Sequence, residues 1–253
     1  MVIDADCHIS PNYSEGEGIS YDELLRQMDR SGVDQALIWL QPPYLRVIEP
    51  ANAYIHQAVK NHPDRLLGFG WVDPHFGRER ALEMAKKCLY EYDFYGVKLN
   101  GAQNSFYIDD PSLSIPIIEE VAKSGKWLAF HIGADAYEYT HPFRVGKIAR
   151  LFPDLLIFMV HMGGAGLPDL SKACIEIAQE HPNLYLIGSA VGSRPILQAI
   201  QALGSERVCF GSDTPFEWMH VAVARYHALL DGEVSAREKD NVMSGNIRRL
   251  FAL

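Results

Sequence analysis

Eight short apolar runs, each followed by a helix-forming stretch, constrain this chain more than any other feature. They fall at residues 2–8, 35–40, 65–72, 95–100, 127–131, 155–161, 184–188 and 207–213. Most are continuously hydrophobic, the pattern of parallel strands covered on both faces. The stretches between them carry helix signals. Ser20 opens one that sets Leu24, Leu25 and Met28 on a single face and stops at Gly32. Others are expected from about Pro50, Arg78, Ser114, Pro142, Leu167 and Arg194. Pro42-Pro43, Asp73-Pro74, Gly125 and Gly204 punctuate the pattern. Parallel neighbours need long crossovers, so eight βα units in 253 residues predict an α/β fold, a (β/α)8 TIM barrel, with residues 1–253 as one domain. A doubly wound open sheet would call for G-x-G-x-x-G after the first strand, and the loop from Pro11 to Gly18 lacks it.

A chain of 253 residues, 48% hydrophobic and 22% charged, can bury a full core without staples. Its net charge of −9 argues against a nucleic-acid partner, which would require a basic stripe. Cys7, Cys88, Cys174 and Cys209 form no C-x-x-C pair and are too sparse for a disulfide scaffold. They lead to the expectation of a reduced, cytoplasmic setting. The N-terminus shows no charged leader with an apolar core, and no apolar run approaches a membrane span, so neither a signal peptide nor a membrane partner is expected.

The first run, Val2-Ile-Asp-Ala-Asp-Cys-His8, ends in a carboxylate and an imidazole. Strict alternation puts Asp4, Asp6 and His8 on one face and Ile3, Ala5 and Cys7 on the other. Asp6 beside His8 makes half of a divalent-metal site. In a barrel of parallel strands the active site lies at their C-terminal ends. Strand four carries Lys98, strand five ends in His131, strand six in His161 and strand eight in Asp213. One polar residue at a strand end is an ordinary cap, but five strands of eight delivering such groups to one rim point to chemistry. Lys98 on an apolar strand needs an anionic partner, since an unpaired buried ammonium is costly. Arg194, after strand seven, suits a clamp on a substrate carboxylate and equally suits a surface position at a helix start. His141 and Tyr137, in the loop after strand five, are candidates to line a pocket. Gly163-Gly164 after His161 is read as a tight turn in preference to an anion-binding nest.

These landmarks together are similar to the amidohydrolase superfamily, specifically amidohydrolase family 2, which includes aminocarboxymuconate-semialdehyde and resorcylate-type decarboxylases and several lactone hydrolases. The residues that carry the resemblance are Ile3-Asp-Ala-Asp-Cys-His8, Tyr95-Gly-Val-Lys-Leu99, Tyr107-Ile-Asp-Asp-Pro111, Phe130-His-Ile-Gly133, Phe152-Pro-Asp154, Val160-His-Met-Gly-Gly164, Phe210-Gly-Ser-Asp-Thr-Pro-Phe216 and Gly245-Asn246. They span essentially the whole chain. The resemblance implies metal ligands at Asp6, His8, His131 and Asp213, with Asp6 standing where the family usually has histidine. It implies catalytic roles for Asp213 and His161, an unmodified Lys98 and therefore one metal ion. It is compatible with a homodimer, dimers being common in the family.

A mixed nitrogen and oxygen ligand set suits Zn²⁺ first and tolerates Mn²⁺. The leading expectation is a metal-dependent hydrolase, whose activated water attacks a lactone, ester or amide carbonyl of a small, carboxylated substrate. The compact loops lean toward hydrolysis. The alternative is a non-oxidative decarboxylase on the same site, toward which Asp6 leans. A third reading is a silent barrel that binds a small acid.

Overall fold

The computed structural model describes residues 1–16, 18–42, 47–165 and 169–253. Eight strands form a single sheet in sequence order: β1 (Ile3–Ile9), β2 (Gln35–Leu40), β3 (Leu66–Trp71), β4 (Gly96–Leu99), β5 (Trp127–Gly133), β6 (Ile157–Ala165), β7 (Leu184–Ile187) and β8 (Val208–Cys209). Every neighbouring pair is parallel. The sheet curls back on itself where Ala5 N donates to Phe210 O and His8 N to Thr214 O, at 3.0 and 2.7 Å. The architecture is the expected (β/α)8 barrel.

The helices in chain order are α1 (Tyr21–Ser31), α2 (Ile48–Asn61), α3 (Arg78–Lys86), α4 (Gly101–Asn104), α5 (Ile115–Ser124), α6 (Tyr137–Thr140), α7 (Pro142–Leu151), α8 (Ser171–Glu180), α9 (Ser193–Leu203), α10 (Met219–Leu230), α11 (Ala236–Asp240) and α12 (Asn246–Phe251). Their ends follow the local chemistry. The Ser20 hydroxyl accepts from Glu23 N at 3.1 Å, and Gly32 ends α1 with φ of 68°. A π-helical turn, Lys87–Glu91, extends α3. The expected strand stop at Pro43 and helix start at Leu167 lie outside the described residues.

Two apolar layers organise the barrel. The outer one, between strands and helices, includes Cys7, Ile9, Ile38 and Leu40. The inner one includes Ile3, Ala5, Trp39, Phe69, Trp127 and Phe158. At the N-terminal end of the strands α12 plugs the bore. Phe251 stacks on Tyr95 at 4.5 Å and meets Trp127 edge-on, while Trp127 stacks on Phe158 at 4.7 Å. That end is filled by aromatic rings, so polar groups inside the barrel can gather only toward the opposite rim.

β1 and β8 depart from the pattern expected of their sequences. Strict alternation along β1 fails, because the register slips between Asp4 and Cys7. Asp4 lies opposite Ala36 of the outer layer, whereas His8 lies opposite Trp39 of the inner one. The extra residue of a bulge lets Asp6 and His8 share the barrel interior while Asp4 faces away. Strand eight is also far shorter than residues 207–213. After Cys209 the chain turns through Asp213, which takes a positive φ of 63°. It remains tied to β1, with Asp213 N donating to Asp6 O at 2.9 Å.

Gly96 sits where the barrel is tightest. A Cβ there would lie 2.1 Å from Trp127 O and 2.6 Å from a Phe69 ring carbon. Backbone cannot yield as a flexible side chain can, so Gly96→Ala is expected to cost about 3 kcal/mol, the upper end for overpacking. The check is the urea midpoint; an unchanged midpoint would show that β4 and β5 can separate freely.

Candidate metal centre and active site

Four strands and the turn after β8 bring polar groups to one rim. Asp6 and His8 come from β1, Lys98 from β4, His131 from β5, His161 from β6, and Asp213 from the turn after β8. Asp6, His8, Lys98 and His161 are buried, and the Asp213 side chain is 14% exposed, at the open edge.

Asp6 is the hub. Its Oδ1 lies 3.4 Å from His8 Nε2 and 3.9 Å from Lys98 Nζ. Its Oδ2 accepts from the Ser189 hydroxyl and lies 3.6 Å from His161 Nδ1. Burial alone would raise the Asp6 pKa, but Lys98, His8 and His161 outweigh it and hold the carboxyl well below the usual range. Lys98 answers to the same pair. Burial brings its pKa down to about 8, against the pull of Asp6 and Asp213. Its ammonium also rests 3.7 Å from the Trp39 ring centroid and 5.5 Å from that of Trp71.

His161 takes a positive φ of 68° midway along β6, which continues to Ala165 beyond the expected end at His161. Burial drives its pKa down to about 4, partly offset by Asp213 and Asp6, so the ring is neutral at pH 7. Ser189 has one proton, which it gives to Asp6. The 2.9 Å contact between His161 Nδ1 and Ser189 Oγ is therefore donated by the imidazole. That tautomer leaves Nε2 of His161 with a free lone pair. Gly163 and Gly164 let the chain pass closely beyond it. A Cβ on Gly163 would lie 2.6 Å from the Leu170 carbonyl carbon, and one on Gly164 would lie 2.5 Å from Val191 Cβ. β6 runs on through both glycines, so they serve close packing at the strand end, not a turn straight into the helix.

His8 Nε2 is 3.3 Å from Asp213 Oδ1 as well as 3.4 Å from Asp6. Burial and Lys98 oppose its protonation, yet contact with Asp213 and Asp6 leaves its pKa raised. A proton on Nε2 would nevertheless meet the Trp39 indole N–H, which donates to the same nitrogen at 3.1 Å. The arrangement describes the neutral ring.

Among the described residues, ligand atoms from Asp6, His161 and Asp213 all lie within 4.8 Å of one another. Asp6 Oδ1 is buried and makes no hydrogen bond. Two carboxylates beside neutral imidazoles form a donor set that fits a divalent cation. His131 stands beside this group. Its ring meets that of His161 at 4.7 Å, while its Nε2 lies 3.0 Å from both oxygens of Asp135.

The other sequence candidates lie further out. Tyr137 is 54% exposed in the first turn of α6. His141 caps α7, its Nδ1 accepting from Phe143 N at 3.2 Å. Arg194 is exposed in the first turn of α9. Among the described residues, none of the three makes a hydrogen bond or ion pair with the carboxylate cluster. Sequence reasoning missed Ser189, Trp39 and Asp135. Ser189 directly follows the last residues of strand seven, so the strand-end rule could have found it. Trp39 reads as core, and Asp135 is a loop residue with no distinguishing signal.

A barrel whose rim gathers two aspartates, three histidines and a buried lysine on β4 defines a class. The model for the family described as Amidohydrolase matches residues 3–253, and the chain belongs to that family, amidohydrolase family 2. Curated relatives are decarboxylases. The 2-amino-3-carboxymuconate-6-semialdehyde decarboxylase of Dictyostelium discoideum is 24% identical over 92% of this chain and 76% of its own length. The gamma-resorcylate decarboxylase of Rhizobium is 26% identical over 92% of this chain and 87% of its own. A dihydroxybenzoic acid decarboxylase of Polaromonas, solved with bound manganese and the inhibitor 2-nitroresorcinol, superimposes with a TM-score of 0.78. That match is at 20% identity and covers 100% of this chain and 97% of that one. The expected hydrolysis of a lactone, ester or amide is overturned by these relatives. Compact loops were a poor guide to it, because one metal and one strand-eight carboxylate can serve either chemistry. No helix among the described residues is long and apolar enough to cross a membrane.

Proposed function

We propose that this protein is a metal-dependent, non-oxidative decarboxylase of a small carboxylic acid that carries a polar oxygen or nitrogen substituent beside its carboxylate. The reading is supported chiefly by curated decarboxylases that match over 92% of the chain. The site chemistry agrees with it. Asp6, Asp213 and His161 are the proposed ligands of one divalent ion, with His8 Nε2 and His131 as further donors. When bound, the ion would polarise the substrate carboxylate and its neighbouring polar substituent. A carboxylate at Asp6 where the family usually has histidine hardens the set, which favours Mn²⁺ over the Zn²⁺ expected first; the manganese held by the Polaromonas relative points the same way.

Asp213 has the one carboxylate that is both in the cluster and at its open edge. Asp213 enters the cycle carrying a proton taken from solvent and gives it to the carbon bearing the carboxylate. The C–C bonding pair returns to the substrate and CO₂ leaves, which restores the proton count when Asp213 is reprotonated by solvent. Lys98 offers fixed positive charge to the anionic substrate. His161, neutral and tied to Ser189 through Nδ1, leaves its Nε2 without a proton. Tyr137, His141 and Arg194 are candidate contacts for the outer part of the substrate.

The test is a panel assay on protein stripped with a chelator and reloaded. Release of CO₂ from gamma-resorcylate or 2-amino-3-carboxymuconate-6-semialdehyde, restored by Mn²⁺, is the expected result. Turnover of lactones without CO₂ release would sink the reading, and restoration by Zn²⁺ alone would overturn only the metal assignment.

A further inference from the structure

Trp39 has no part in the reaction proposed above, yet it holds one of the centre's nitrogen atoms. It stands on β2 directly opposite His8 and is fully buried. Its indole Nε1–H donates to His8 Nε2 at 3.1 Å, while His8 Nδ1 lies 2.8 Å from Leu40 O. An indole N–H can only donate, and a carbonyl oxygen can only accept. The two contacts define the ring: Nδ1 carries the proton, and the Nε2 lone pair is given to Trp39. Nε2 is also the nitrogen that faces Asp213 and Asp6, at 3.3 and 3.4 Å. One lone pair thus has two claimants, the indole and any cation seated between the carboxylates.

We infer that Trp39 is a positioning residue that keeps His8 Nε2 in reserve and thereby sets how tightly the centre takes a divalent ion. The inference rests on the metal site proposed above. When His8 turns its lone pair to an ion, the indole hydrogen bond is lost and a buried N–H is left without an acceptor, a penalty carried by every loading event. Leaving one buried donor unpaired shifts such an equilibrium by about tenfold. The same indole takes the Lys98 ammonium on its face. Trp71 provides an internal comparison. It also lies near Lys98, but its Nε1–H goes to Asn104 Oδ1 at 2.9 Å and not to His8.

The experiment is a titration with Mn²⁺, following the free ion by electron paramagnetic resonance, on wild type, Trp39→Phe and Trp71→Phe. Phenylalanine retains an aromatic face for Lys98 and removes the N–H. Trp39→Phe is expected to bind Mn²⁺ about tenfold more tightly, with Trp71→Phe unchanged. Equal or weaker binding by folded Trp39→Phe would overturn the inference alone; wild type that binds no Mn²⁺ would overturn it together with the proposed metal site. A second measurement needs no variant at position 39. In wild type, the Trp39 indole ¹H–¹⁵N signal, assigned by elimination with phenylalanine at each of the other tryptophans, should move upfield on saturation with diamagnetic Zn²⁺. A stationary signal would overturn the inference.

Discussion

Asp213→Asn is expected to lower kcat for CO₂ release by about 10³-fold, within the range that one positioned proton donor contributes. The carboxamide matches the carboxylate in shape and can still offer an oxygen to the centre, but it cannot pass a proton to carbon. The loss should therefore fall on kcat more than on KM. The backbone bond from Asp213 N to Asp6 O, 2.9 Å, is untouched by the substitution, so the folded rim should persist. Steady-state kinetics beside an Mn²⁺ titration separates the two duties of Asp213. A variant within tenfold of wild type would remove Asp213 from proton transfer, and one that merely needs more Mn²⁺ would make it a ligand only.

The second large effect concerns stability. Asp4 is fully buried; its Oδ1 accepts from Asp6 N and Ser212 N at 3.1 and 2.9 Å, and its Oδ2 makes no hydrogen bond. Burial, against the lowering effect of the Ser212 and Asp6 bonds, raises its pKa to about 7. The folded state therefore keeps this proton where the unfolded chain, at the ordinary 3.8, has released it. Stability from this group is complete below pH 3.8 and drains away as pH rises to about 7. The full loss is about 4 kcal/mol at ~1.4 kcal/mol per pKa unit. Asp4→Asn, neutral and similar in shape, should lack that slope. Urea denaturation of metal-free protein between pH 4 and pH 8 should show the variant gaining on wild type by about 4 kcal/mol. Parallel pH profiles would mean that Asp4 is already ionised at acid pH.

Much of the architecture was legible because the code for it is local and repeated. Runs such as 36–40 and 127–130 are apolar throughout, and the structure places strands at Gln35–Leu40 and Trp127–Gly133. Stop signals such as Gly32 and Gly125 adopt the left-handed conformation expected of them. Strand eight was less legible. Its 207–213 segment is held to β1 by single backbone bonds and by the Asp4 side chain, and those partners lie about two hundred residues away in the chain.

The candidate site divides in the same way. Strand-end position singled out Asp6, His8, Lys98, His131, His161 and Asp213, because in a parallel barrel the C-terminal strand ends share one rim. That much the sequence by itself determined, together with the barrel and the family. Which atom each residue presents was decided only in three dimensions. A bulge in β1 turns Asp4 out and Asp6 in; Ser189 sets the tautomer of His161; Asp135 engages His131; and Trp39 claims the lone pair of His8. Backbone patterning has a period and can be read along the chain, whereas a hydrogen-bond partner is a matter of distance and angle between strands that meet only after the barrel closes.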